Sequence, residues 1–178
     1  GKCVFADDTV DEFLNLAGDY DGFVFGTPVH WGGACGAITS FLDRVFYADL
    51  NAGTNRFLLK PAAAVISARR AGTTATWDQM NKYFGLMQMP IVTSRYWNMV
   101  HGAAPEQVKQ DAEGLQTMRV LGNNICLLYT SDAAGADDFY KLYPINHEKP
   151  DNKNMGGCCY DALPDAAHVL FPHRGTGA

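Results

Sequence analysis

Apolar positions recur along this chain in alternating short runs and helical stripes. Val10, Phe13, Leu14 and Ala17 fall at helical spacing behind Thr9, a candidate N-cap, and Gly18 closes the run, which predicts a short first helix. Phe23 to Phe25 is a brief apolar run between Gly22 and Gly26, the pattern of a parallel strand buried on both faces. Ala34, Ile38, Phe41, Leu42 and Val45 then mark one face of a second helix from about Gly33 to Tyr47. Asp49 to Lys60 is polar and reads as a surface loop, after which Pro61 leads into Ala62 to Ser67, suited to a central strand.

Trp77, Met80, Phe84 and Met87 describe a third helix from about Thr76 to Met89, stopped by Pro90. Pro90 to Trp97 alternates well enough for a further strand. Beyond the turn at Gly102, Pro105 suits a first helical position, and Val108, Ala112, Leu115, Met118 and Leu121 extend a fourth helix. Strands alternating with helices predict an α/β fold of three layers around a parallel sheet. From about Cys126 the periodicity stops, and an irregular C-terminal tail is expected.

Two loops follow predicted strands and therefore share one edge of the sheet, where open α/β sheets bind ligands. The first is GlyThrProValHisTrpGlyGly, Gly26 to Gly33, and the second is SerAlaArgArgAlaGlyThrThr, Ser67 to Thr74. Pro28 and the Gly32-Gly33 pair shape a backbone able to present N–H groups to a flat polar edge, while His30 or Trp31 adds a packing face. The competing reading is an ordinary strand-to-helix turn with one exposed aromatic.

Composition narrows the choice of partner. The chain has 178 residues, 47% of them apolar, enough for one domain with a sizeable core. Its net charge of −5 comes without a basic cluster, which argues against nucleic acid and anionic membrane as partners. No apolar run approaches a bilayer span and no signal pattern opens the chain, so the expected location is cytoplasmic. The five cysteines, Cys3, Cys35, Cys126, Cys158 and Cys159, are odd in number and irregularly spaced, which does not suggest a disulfide framework. Cys35 reads as a small core residue. Cys158 and Cys159 share the tail with His147, His168 and His173, but no CxxC or HxxxH spacing supports a metal site, and none is expected.

The segments GlyLysCysValPheAlaAspAsp, GlyThrProValHisTrpGlyGlyAlaCysGly, PheLeuAspArgValPhe, AlaArgArgAlaGlyThrThr and TyrTrpAsnMetValHisGly resemble, in order and spacing from Gly1 to about Ile125, the NADPH-dependent FMN reductase branch of the flavodoxin-like flavoproteins, including the iron-sulfur flavoprotein relatives. The resemblance implies a flavodoxin-like three-layer sandwich over residues 1–125, lacking its first strand or strands and the FMN phosphate loop. Residues 126–178 are then expected to be a non-family tail, poorly ordered or artefactual. Its opening CysLeuLeuTyrThrSerAspAlaAla resembles a translated frame of a transposon-end sequencing adapter.

What the resemblance implies about the site is specific. Thr27, Pro28, Val29, His30, Trp31 and Gly32 are the expected contacts to the isoalloxazine of FMN, and Ser67, Ala68, Arg69, Arg70, Ala71 and Gly72 form the second flavin-contacting turn. Arg69 or Arg70 could place positive charge near the N1/C2 carbonyl region, where reduced flavin gathers negative charge; either could equally be a solvated surface arginine. His101 most simply satisfies a turn, Asp43 and Arg44 of the second helix are expected to serve structural pairing or capping, and Cys3 matches the last cysteine of a cluster-binding motif in some relatives. No catalytic side chain is expected.

The implied activity is an FMN-dependent NAD(P)H oxidoreductase passing electrons to a quinone, flavin or other acceptor, small molecule or redox protein. The alternatives are an electron-transfer module of the flavodoxin or iron-sulfur flavoprotein kind, or an inert fragment. A homo-oligomer, dimer or tetramer, is expected of the intact protein, with Trp31 and Tyr47 suited to the contact.

Overall fold

A computed structural model describes Cys3, residues 9–134 and residues 168–172. Helix α1 (Thr9–Ala17) leads into β1 (Tyr20–His30), which turns back as β2 (Gly33–Ala34). There follow α2 (Gly36–Ala52), β3 (Ala62–Ala68), α3 (Thr73–Leu86), β4 (Met99–His101), the single turn α4 (Pro105–Val108), α5 (Ala112–Ala134) and β5 (His168–Pro172). The sheet runs β2-β1-β3-β4, with β5 also paired to β1.

Strands β1, β3 and β4 are parallel. Phe23 pairs with Ala62 and the register holds to Pro28 opposite Ser67, while Ile66, Ser67 and Ala68 pair with Met99, Val100 and His101. β5 is antiparallel to β1, from Phe25 opposite His168 to Tyr20 opposite Pro172.

Period-two alternation divides the strand side chains between two faces. Phe23, Phe25, Ala62, Ala64 and Ile66 join one core with Val10, Phe13 and Leu14 of α1, Leu42, Val45 and Phe46 of α2, and Met80 and Phe84 of α3. Ala63 lies on the other face with Leu121 and Ile125 of α5, and Val24 and Val65 pack against them. The expected three-layer α/β sandwich is therefore present, its sheet parallel through β1, β3 and β4 and antiparallel at β2 and β5.

Alanines in β3 leave room for large neighbours, and phenylalanines fill it. Phe13 meets Phe41 edge-on at 5.2 Å, Phe46 meets Phe57 edge-on at 5.0 Å, and Phe25 stacks on Phe84 at 5.4 Å. Each such pair adds about 0.5–1.5 kcal/mol beyond area burial.

Several boundaries differ from expectation, each for a local reason. The first strand continues past Phe25 to His30, so Thr27 to His30 lie within it. The second helix starts at Gly36 rather than Gly33, because Gly33 and Ala34 pair with His30 and Val29 as β2. It also runs on to Ala52, where Gly53 at φ 61° caps it. Asp49, read as the start of a surface loop, is thus helical and 1% exposed; its carboxylate accepts the Thr54 hydroxyl and the Arg56 backbone N–H, and pairs with the Arg56 guanidinium at 3.0 Å.

The third helix lies three residues earlier than expected, beginning after Gly72 and ending at Leu86. The strand expected at Pro90 to Trp97 is a loop. Ile91 bridges to Ala62, and Val92 N–H reaches Ala62 O at 2.8 Å; the chain then leaves the sheet and returns where Ile66 N–H meets Asn98 O at 2.9 Å. Buried Asn98 holds this detour by donating to Val92 O and accepting the Ser94 hydroxyl at 2.7 Å. An alternating pattern could not show that an amide side chain would take over the backbone bonds.

The fourth helix is divided into α4 and α5, and Asp111 starts the second piece by accepting Gly114 N–H at 2.9 Å. Helix α5 passes through Cys126 and ends at Ala134, so the loss of apolar rhythm there does not end the helix. Within the tail expected to be irregular, His168–Pro172 also forms a regular strand, β5, paired with β1; the other tail expectations fall on residues outside the described set.

Candidate functional site

The carboxyl ends of β1, β3 and β4 share one edge, and the connections leaving them form the site. β1 and β2 are joined by Trp31 and Gly32, both with left-handed backbones at φ 53° and 81°. Positive φ at both central residues is the type I′ hairpin, whose twist matches the strands it joins. Trp31 stands fully exposed on this tip, a conformation in which a bulky residue is uncommon.

The hairpin is fastened from beneath. Thr27 is 4% exposed, and its Oγ1 accepts Cys35 N–H at 3.2 Å while donating to Pro28 O at 3.0 Å. Its hydroxyl thus secures the entry to α2. From α3, Gln79 Oε1 accepts Ala34 N–H at 3.1 Å.

The second turn, Arg69 to Gly72, leaves β3 beside the hairpin. Gly72 has φ 95°, and a Cβ built there would lie 2.7 Å from Val29 Cγ1 and 2.9 Å from Gly32 Cα. The two connections are therefore in van der Waals contact. Arg69, Arg70 and Ala71 are exposed, Ser67 is half-buried and Ala68 is buried. Helices α2 and α3 both begin at this edge, after Cys35 and Gly72, without a side-chain cap and without an acidic residue in the first turn. Their amino ends present unpaired N–H groups and the positive end of the helix dipole.

The third connection follows His101. Asp111 Oδ2 accepts His101 N–H at 2.7 Å, and His101 Nδ1 lies 3.9 Å from the same oxygen. A Cβ on Gly102 would lie 2.6 Å from Val108 N, which holds α4 against the end of β4.

The twelve expected contact residues lie at the carboxyl ends of β1 and β3 and in the touching turns that leave them, with different standing. His30, Trp31, Gly32, Arg69, Arg70 and Ala71 face solvent; Pro28 is exposed at the sheet edge; Thr27 and Val29 are committed to internal packing, as is Gly72. Gln79 and Asp111 brace the site. Neither carries a sequence signal, since each is a polar residue in or beside a helix with nothing in its spacing to mark it.

Other chemistry lies elsewhere. Arg44 donates from Nε and a terminal nitrogen to Cys3 Sγ at 3.2 and 2.9 Å, and Asp43 accepts the Tyr83 hydroxyl at 2.7 Å. A shallow depression lined by Asp49, Leu50, Asn55, Leu58, Leu86, Met87 and Gln88 lies at the opposite ends of α2 and α3. Among the described residues no group of His, Cys, Asp and Glu could hold a metal ion, and no helix is long and apolar enough to cross a membrane. Cys158, Cys159, His147 and His173 lie outside the described residues.

A family model of NADPH-dependent FMN reductase matches residues 1–104, more than half of the chain and all of β1 to β4. The chain belongs to this family. Both site connections of this FMN reductase relative fall within the matched span. An iron-sulfur flavoprotein of Methanocaldococcus jannaschii is 34% identical over 131 residues, which cover 70% of this chain and 66% of the relative. The chain thus spans just under two thirds of that relative's length.

Two solved structures are similar. A flavodoxin, WrbA-like protein from Agrobacterium tumefaciens has a TM-score of 0.43 and 17% identity, covering 57% of this chain and 64% of its own. RosB, solved with 8-demethyl-8-formylriboflavin-5′-phosphate, has a TM-score of 0.47 and 14% identity, covering 92% of this chain and 72% of its own.

Proposed function

We propose that the edge formed by Thr27–Gly32 and Ser67–Gly72 holds the ring system of FMN, and that the protein is a flavin-dependent oxidoreductase using NAD(P)H. The carrying observation is the contact of Gly72 with Gly32 and Val29, which makes two connections from neighbouring parallel strands into one continuous cradle. The donor set suits a flat heterocycle edged with hydrogen-bond acceptors: backbone N–H groups at two helix starts, two exposed guanidinium groups and one exposed indole.

Bound FMN would supply the redox chemistry, taking electrons from NAD(P)H and passing them to a quinone, flavin or other acceptor. The residues of this chain position and tune. The hairpin backbone at His30 to Gly32 meets the ring edge, and Trp31 offers a face for packing. Arg69 or Arg70, with the amino ends of α2 and α3, stabilises negative charge gathering on the pyrimidine side. Thr27 and Asp111 act through the connections they secure. We assign no side chain as nucleophile or general base, and we propose that the protein is a homo-oligomer.

A second reading, an electron carrier without rapid NAD(P)H turnover, draws support from the name of the iron-sulfur flavoprotein relative. One experiment separates the two. FMN is titrated with the protein while flavin fluorescence is followed, and the complex is then mixed anaerobically with NADPH or NADH. Quenching followed by rapid bleaching supports the oxidoreductase, quenching with slow bleaching supports the carrier, and unquenched FMN overturns both.

A further inference from the structure

The hairpin that carries Trp31 has only a two-residue second strand, so its own ladder cannot fix its pose. β2 pairs with β1 at Val29–Ala34 and His30–Gly33 alone. What meets it from outside is α3, the helix that follows the second connection. Gln79 Oε1 accepts Ala34 N–H at 3.1 Å, and a Cβ on Gly33 would sit 3.5 Å from that same oxygen. An amide nitrogen cannot accept from a backbone N–H, so the oxygen of Gln79 must face the hairpin. Two helical turns earlier on the same segment, Gly72 packs on Gly32 and Val29. The hairpin is thus held at its tip by Gly72, the residue before α3, and at its returning strand by Gln79 of α3.

We propose that Gln79 is a positioning residue of this site, holding the Trp31–Gly32 tip in register with the Arg69–Gly72 turn. It touches neither the ring nor a substrate on this assignment; it acts by keeping Ala34 in place, and through Ala34 the tip. The inference rests on the flavin reading given above. If Gln79 lets go, β2 keeps its two pairings with β1 and its packing on α3 but loses the hydrogen bond that fixes it there, and the cradle gains freedom that a bound ring must remove.

The test compares Gln79→Leu, which keeps the size and loses the acceptor, with Gln79→Glu, which keeps an acceptor oxygen. Amide hydrogen exchange at Ala34 in the flavin-free protein reads the grip, FMN affinity reads its consequence, and a urea midpoint for each variant reads general stability. We expect Gln79→Leu to lose Ala34 protection and to bind FMN about two- to tenfold more weakly, the range of one neutral hydrogen bond. Gln79→Glu should retain both protection and affinity, a rescue that a merely space-filling role would not give. Unchanged FMN affinity in Gln79→Leu despite lost Ala34 protection overturns the proposal and leaves the flavin reading intact. Retained protection in Gln79→Leu, or equal weakening by both variants, also overturns it. Wild-type protein that takes up no FMN overturns the flavin reading and the proposal together.

Discussion

Gly72 and Gly32 face one another so closely that a methyl group on the first would lie 2.9 Å from the α-carbon of the second. The same methyl would lie 2.7 Å from Val29 Cγ1, and Gly72 holds φ at 95°, where an L side chain is strained on its own account. Gly72→Ala therefore combines backbone strain with a contact that the hairpin must yield to. Its expected cost is about 2–3 kcal/mol in urea unfolding. A variant as stable as wild type would show that the two connections do not meet.

Trp31 occupies the first central position of a type I′ turn, where Asn, Asp and Gly are favoured. Fully exposed, it gains little from packing that would offset this conformation. Trp31→Asn should stabilise the protein by about 1 kcal/mol while weakening FMN binding, because the turn relaxes as the aromatic face is lost. Denaturation and flavin titration on the same sample check both signs. A destabilised variant would mean that the indole is packed in solution.

Asp49 is a buried carboxylate anchored to Thr54 and Arg56, and it ties the α2–β3 connection to the end of its helix. Asp49→Ala leaves the Arg56 guanidinium, 21% exposed, without its counter-charge. The expected loss is about 3 kcal/mol, the low end for a broken buried pair because Arg56 retains some solvent. Chemical unfolding measures it.

How far the sequence reached depended on whether a feature is periodic. The buried strands β1 and β3, the apolar stripe of α2 and the common edge of the two connections follow from short apolar runs, from helical periodicity and from the order of strands and helices, and all appear in the structure. What the pattern could not show rests on single polar side chains. Asn98 pulls a predicted strand out of the sheet, Asp49 turns a supposed loop residue into an anchor, and Gln79 and Asp111 brace the site from outside its motifs. Thr27 is expected from its motif as a contact residue, and its buried hydroxyl, spent on Cys35 and Pro28, could not be foreseen from its position.

Trp77 and Asn81 sit one turn apart on α3, and the indole N–H and both amide atoms of Asn81 are buried without a hydrogen-bond partner. An unsatisfied buried polar group costs about 1–3 kcal/mol, whereas apolar replacements of similar shape avoid that cost. The double variant Trp77→Phe, Asn81→Leu should match or exceed wild-type stability in urea. A loss above about 2 kcal/mol would show that an ordered water satisfies these groups in solution.

Tyr83 donates its hydroxyl to Asp43 at 2.7 Å, joining α3 to α2. Partial burial, the hydrogen bond to Asp43 and the charge of that carboxylate all disfavour the phenolate, in that order, and raise the Tyr83 pKa from 10.0 to about 12. The folded protein thus holds this proton more tightly than the unfolded chain, in which tyrosine ionises near pH 10. Between those two values the folded state binds more protons, so stability must fall as pH rises. The contribution is complete below pH 10 and gone once the folded pKa of about 12 is passed. Ultraviolet phenolate titration of wild type against Tyr83→Phe should give a difference curve centred near pH 12, and Asp43→Asn should move it down toward the ordinary value. Alkaline unfolding supplies the second check: the stability advantage of wild type over Tyr83→Phe should shrink across the same interval. A difference curve centred at the ordinary tyrosine value would mean that the Tyr83–Asp43 link between α3 and α2 does not form in solution.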